Sequence, residues 1–74
     1  KYKSGSVELA TVTGIQPHCL FVEFDVFTGY IQRKKCLDFN SYIDDVMENG
    51  DLITVEILGY NKKHRKFDVI IDSI

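Results

Sequence analysis

The chain has 74 residues, 45% of them hydrophobic and 27% charged, with a formal net charge of −2. That length holds one core and leaves no room for a second. It contains no apolar run long enough to span a bilayer, and the opening KYKSGS lacks the features of a signal peptide. The acidic balance argues mildly against nucleic acid as a partner, because such binding is dominated by phosphate neutralisation.

The distribution of charge matters more than its sum. Arg33, Lys34 and Lys35 form one basic run, and Lys62, Lys63, His64, Arg65 and Lys66 a second; Asp44, Asp45, Glu48 and Asp51 gather in one acidic segment. Segregation of this kind allows a basic patch on an acidic protein, although each run also reads simply as a solvated loop. The two cysteines, Cys19 and Cys36, have no metal-like spacing, and a secreted domain of this size usually carries more of them. Free thiols in a reducing, cytoplasmic setting are the expectation. Lys1 opens the chain, as it would in a piece of a longer protein.

Taken in order, Val7 to Ile15 reads as a first strand. Its β-branched content supports that, and apolar residues on both parities point to a bulge. Gly14 marks a bend or a close backbone approach, and Pro17 belongs in the turn that follows. Cys19 to Asp25 is a second strand with strict alternation: Leu20, Val22 and Phe24 on one face, Cys19, Phe21, Glu23 and Asp25 on the other. Phe21 is thus an aromatic on the wet face of a sheet. Either a ligand stacks on it, or a loop or partner covers it.

Val26 to Gly29 is expected to close a hairpin into a third strand, Tyr30 to Arg33, with Ile31 inward and Tyr30 and Gln32 outward. Arg33 then falls where a core residue is expected; its stem packs inward with the guanidinium reaching out, or the register slips by one. Phe39, Tyr42, Ile43, Val46 and Met47 make a helical stripe, predicting a short helix from about Ser41 to Glu48, capped by Asn40 or Ser41 and stopped by Asn49-Gly50. Asp44 and Asp45 suit the positive end of its dipole. Leu52 to Tyr60 is a fourth strand with Ile53, Val55 and Ile57 inward. After a basic loop over Asn61 to Arg65, Lys66 to Asp72 is a fifth, with Phe67, Val69 and Ile71 inward and Lys66, Asp68 and Asp72 outward.

Three strands, a short helix and two strands is the order of the all-β, five-stranded antiparallel Greek-key OB-fold barrel, whose interior is filled by side chains. Residues 1–74 are read as one such domain. The motifs Val12-Thr13-Gly14-Ile15, His18-Cys19-Leu20-Phe21-Val22, Gly29-Tyr30-Ile31-Gln32, Gly50-Asp51-Leu52 and Lys66-Phe67-Asp68-Val69-Ile70 resemble those of the S1 RNA-binding domain family over nearly the whole chain. In length and in its V-T-G opening the chain is similar to the bacterial general stress protein 13 group. The resemblance implies an RNA-contacting set: Phe21 matches the second-strand phenylalanine, His18 stands for the aromatic three residues earlier, Gln32 for the third-strand histidine, Asn61 for the aspartate ending the fourth strand, and Lys66, beside Arg65, for the arginine opening the fifth. Cys19 replaces a glycine between the two second-strand aromatics. Phe21 alone is unchanged.

A physical reading agrees with that set. OB-folds stack the bases of single strands on aromatics of the second and third strands while basic loops follow the phosphates. His18, Phe21 and Tyr30 offer rings; Lys34, Lys35, Lys62, Lys63, Arg65 and Lys66 offer charge. The expected function is weak, salt-dependent binding of single-stranded RNA with little sequence selectivity, in translation or RNA metabolism and with ribosome association as one setting. The domain is expected to be monomeric when isolated, with neither cofactor nor metal nor membrane. The rival is a protein-docking module using an edge strand or the helix face within a larger assembly, favoured by the acidic balance and by the substitutions at Cys19, Gln32 and Asn61. An enzyme finds no support: there is no phosphate loop, no nucleophile motif and no carboxylate pair, and His18 and Cys19 are strand neighbours that point apart.

Overall fold

Alternation along the strands decides which side chains go inside. In a computed structural model, which describes residues 2–74, the chain forms β1 (Val7–Ile15), β2 (Cys19–Phe24), β3 (Phe27–Gln32), α1 (Asn40–Asp45), β4 (Leu52–Asn61) and β5 (Lys66–Ser73). The strands close into a barrel in the order β1-β2-β3-β5-β4. Ala10 and Val12, then Leu20, Val22 and Phe24, Ile31, then Ile53, Val55 and Ile57, and finally Phe67, Val69 and Ile71 fill the interior, with Cys36, Ile43 and Met47 completing the cluster. Every inward residue expected of β2, β4 and β5 is buried.

The expected antiparallel barrel is corrected to a mixed one. β3 and β5 pair in parallel, Gly29 with Phe67, Tyr30 with Asp68 and Ile31 with Val69, while the other neighbours are antiparallel. The reason is parity. Strand direction cannot alternate all the way round a ring of five, so at least one neighbouring pair must run the same way.

The hairpin between β2 and β3 also differs from expectation. The turn is only Asp25-Val26, and Phe24 pairs directly with Phe27. Asp25 takes the left-handed conformation at φ 55°, which aspartate tolerates better than most residues. The third strand therefore starts at Phe27, whose ring packs edge-on against Tyr2 and Phe67 at centroid distances of 5.5 and 5.3 Å. Tyr2 also meets Phe24 edge-on, and its hydroxyl donates to Asp25 Oδ2 at 2.8 Å. That hydrogen bond, with desolvation and the charges of Asp25 and Glu8, raises the phenol's pKa.

The helical segment is shorter than its apolar stripe. Two 3-10 turns, Arg33–Lys35 and Leu37–Phe39, lead into α1, which ends at Asp45. Neither Asn40 nor Ser41 caps it: Phe39 is the N-cap and no side chain bonds there. Asn40 instead accepts from Arg33 Nε at 3.4 Å. The N–H groups of Val46 and Met47 both donate to Tyr42 O, closing the helix, and Met47 turns into the core while Val46 and Tyr42 stay exposed. Gly50, at φ 96°, does not stop the helix; it leads into β4, donating its N–H to Val12 O at 2.7 Å while Val12 N–H donates to Asp51 O. Those bonds lie at the bulge in β1, where the register with β2 shifts between Val12 and Gly14.

Gly29 sits within β3, not in a turn, because nothing larger fits. A Cβ there would lie 2.8 Å from Val22 Cγ2 and 3.2 Å from Val69 Cγ2. Gly59 has open space around it. Gly29→Ala should therefore lower stability by about 1–3 kcal/mol through overpacking, whereas Gly59→Ala should stay within about 0.5 kcal/mol of wild type. Urea denaturation of both variants, read as a shift in midpoint at constant slope, checks this.

Candidate nucleic-acid interface

The outward residues of β2, β3 and β5 form one row. Phe21 pairs with Tyr30 across the antiparallel ladder, and Tyr30 with Asp68 across the parallel one. Neighbouring strands lie about 4.8 Å apart, so three side chains on successive strands share a small area. The bulge in β1 brings Gly14 opposite Phe21, and the ring lies over it: a Cβ on Gly14 would be 3.2 Å from Phe21 Cδ2. On its other side Phe21 meets Tyr30 with ring centroids 5.8 Å apart and planes inclined at 49°. Two half-buried rings thus make an open platform.

Two grooves adjoin it and share Tyr30 and Gln32. The first, about 620 Å³, runs between the β1–β2 turn and the helical segment, with His18, Lys34 and Leu37 on its walls. The second, about 370 Å³, runs toward the β4–β5 hairpin and is lined by Phe21, Tyr30, Gln32, Asn61, His64, Lys66 and Asp68. Each volume falls in the range of small-ligand pockets. Of the residues expected at the site, His18, Tyr30, Gln32 and Lys34 meet in the first groove and Phe21, Tyr30, Gln32, Asn61 and Lys66 in the second. Arg65 lines neither; it stands exposed in the hairpin at φ 56°.

Two of the polar side chains also hold their own loop. Asn61 Oδ1 accepts from His64 N–H at 3.2 Å, a local side-chain bond that shapes the hairpin and leaves the amide nitrogen outward-facing chemistry to offer. Lys66 Nζ donates to His64 O at 3.3 Å, which turns the ammonium toward the loop. His64 and Asp68 were not anticipated as lining residues. Asp68 is legible as an outward neighbour of Lys66 on β5, two residues away on the same face; His64 depends on how the hairpin folds back.

Arg33 has its stem in the structure and its guanidinium spent on the fold; the register does not slip, because Ile31 is fully buried. The strand ends at Gln32 and Arg33 opens the first 3-10 turn. Its Nη2 donates to Asp44 Oδ1 at 2.6 Å and its Nη1 to Gln16 O at 3.1 Å, while its backbone N–H donates to His18 O at 3.1 Å. One residue thus ties the β1–β2 turn to α1 and fixes the floor of the first groove. Asp44 serves this pair.

The described residues include no helix long and apolar enough to cross a membrane. Both cysteines are free, and buried Cys36 accepts Ile71 N–H at Sγ.

Asp44 is largely exposed, which limits the ion pair's worth. Arg33→Met, which keeps the stem, should lower stability by about 1–2 kcal/mol through loss of the charged hydrogen bonds, while Lys34→Met should change it by less than about 0.5 kcal/mol. Thermal or denaturant melts of the two variants decide this.

No family model and no curated protein matches the sequence. Solved structures do. The solution structure of GSP13 from Bacillus subtilis superposes with a TM-score of 0.79 at 27% identity, over 96% of this chain and 56% of that one. The crystal structure of a protein assigned as an exosome-complex RNA-binding protein superposes with a TM-score of 0.74 at 18% identity, over all of this chain and 45% of that one. The chain therefore spans about half the length of these neighbours, so the expected likeness in length to the general stress protein 13 group does not hold. Motif pattern and superposition meet on one conclusion: the chain has the S1-type OB fold and is similar to GSP13.

Proposed function

We propose that this chain is an S1-type RNA-binding domain that takes up single-stranded RNA along the β2–β3–β5 face, weakly and with little selectivity along most of the strand. The observation that carries this reading is the Phe21–Tyr30 platform placed where two grooves meet. Bases stack on the rings, which every base can do. Lys34 in one groove and Lys66 in the other supply charge along the phosphates, His18 offers a further ring beside Lys34, and Arg65 and the remaining hairpin lysines add to the local field. The name of one structural neighbour, an RNA-binding protein, supports the same partner. Binding, and not catalysis, is the role assigned, in the cytoplasm and in translation or RNA metabolism, with the 74 residues acting as one monomeric unit, alone or within a longer protein.

Docking to a protein is the second reading, and one observation favours it. Val7, Leu9 and Leu52 are 50%, 61% and 61% exposed on the outer face of the β1–β4 pair. The barrel is closed, so docking by strand addition has no free edge to use.

The test is an amide-shift titration of the labelled domain with a short single-stranded RNA at low salt. Shifts should cluster on 18–23, 30–34 and 61–68. Phe21→Ala should weaken binding roughly five- to hundredfold, the worth of one stacked base. Neutralising two or three phosphates should give a slope of log affinity against log salt of about −1.4 to −2.1. Absence of shifts at low salt, where attraction is strongest, excludes the RNA reading, and shifts confined to added protein partners would favour docking.

A further inference from the structure

The platform carries a feature that phosphate binding does not use. Asp68 stands beside Tyr30 in the parallel ladder and lines the same groove as Phe21, Tyr30 and Gln32. It is half-buried, and among the described residues its carboxylate has no hydrogen bond or ion pair. The nearest cation along β5, Lys66, does not neutralise it, since Lys66 Nζ is directed to His64 O. A face meant only to attract a polyanion has no use for an unpaired carboxylate at its centre, because like charges repel a phosphate from that point.

We propose that Asp68 reads the base stacked on Phe21 and Tyr30, and that it favours guanine; this rests on the proposed binding of single-stranded RNA at the same face. Donors and acceptors on the base edge decide which base fits. An ionised carboxylate only accepts, through two adjacent oxygens. Unpaired bases in single strands are read on their Watson–Crick edges. Guanine presents two neighbouring donors there, N1–H and the N2 amino group, and can meet both oxygens in a paired, charge-assisted arrangement. Adenine and cytosine each present one amino group beside a ring-nitrogen acceptor. Uracil presents one N–H between two carbonyl oxygens, which a carboxylate repels. The Gln32 amide, lining the same groove, has a donor for guanine O6. The charge pattern also orients the nucleotide: the base edge points to Asp68, and the phosphates pass on the sides where Lys34 and Lys66 lie. Selectivity is thereby confined to one position of an otherwise tolerant strand.

The experiment compares hexauridylate with three variants in which one central uridine is replaced by guanosine, adenosine or cytidine. Affinity is read by fluorescence anisotropy at low salt with the whole domain. The guanosine variant should bind about tenfold more tightly than hexauridylate, the discrimination expected of one paired contact, with the other two between. Asp68→Asn keeps the side chain's size and removes its charge; an unchanged denaturation midpoint confirms that it folds. In that variant the guanosine preference should fall to within about twofold, and hexauridylate should bind more tightly as the repulsion is lost. Equal wild-type affinity for all four oligonucleotides, or a preference that survives Asp68→Asn, overturns the assignment while leaving RNA binding intact. Absence of binding to any of the four removes RNA binding and the assignment together.

Discussion

At Gly29 three strands come as close as side chains allow. Methyl groups of Val22 and Val69 occupy the space that a side chain on Gly29 would take, so β3 is held against β2 on one flank and β5 on the other. Inside the barrel this closes the core. Outside, one residue further along each ladder, it sets Phe21, Tyr30 and Asp68 side by side. The platform and the carboxylate beside it are therefore produced by the same packing that seals the interior. A side chain at Gly29 would disturb both at once, and no surface change could restore the row.

Charge on this face is divided by role. Arg33 belongs to the basic run in the sequence but its guanidinium is committed to Gln16 and Asp44, where it joins the β1–β2 turn to α1. The acidic segment gives up one of its members to that pair. What remains available is a small set of lysines and His18 around a ring pair, with one carboxylate among them. A weak field of this kind suits a ligand held by stacking more than by charge, which agrees with a net charge of −2 for the chain.

Most of the barrel was legible because strand alternation is a strong signal where one face is buried. Leu20, Val22, Ile53, Val55, Ile57, Phe67, Val69 and Ile71 all point where their parity places them. The misreadings share a cause, which is that a local signal had a tertiary use. Gly29 looks like a turn glycine and is a packing glycine. Asn49-Gly50 looks like a helix stop, and Gly50 instead bonds to Val12 at the bulge in β1. Asn40 looks like a cap and is held by Arg33. The parallel pair was available to parity alone, once five strands and closure were both accepted. On the candidate interface, alternation puts Phe21, Tyr30 and Asp68 on the outer face, while His64 and Arg65 sit in a hairpin whose path is set by side-chain bonds from Asn61 and Lys66 to the backbone of His64 that periodicity does not encode.

The parallel ladder between β3 and β5 has another consequence. It joins only Gly29 to Ile31 with Phe67 to Val69, whereas β4 and β5 pair along most of their length. The barrel thus has a short seam, and local opening begins where few backbone bonds resist it. Parted there, the sheet would present two bare strand edges, the kind that recruit other chains into aggregates. A nucleotide bound as proposed, on Tyr30 and against Asp68, would span that seam from β3 to β5. Ligand and closed barrel would then favour one another, and occupancy would protect the shortest ladder of the barrel against both exchange with solvent and self-association.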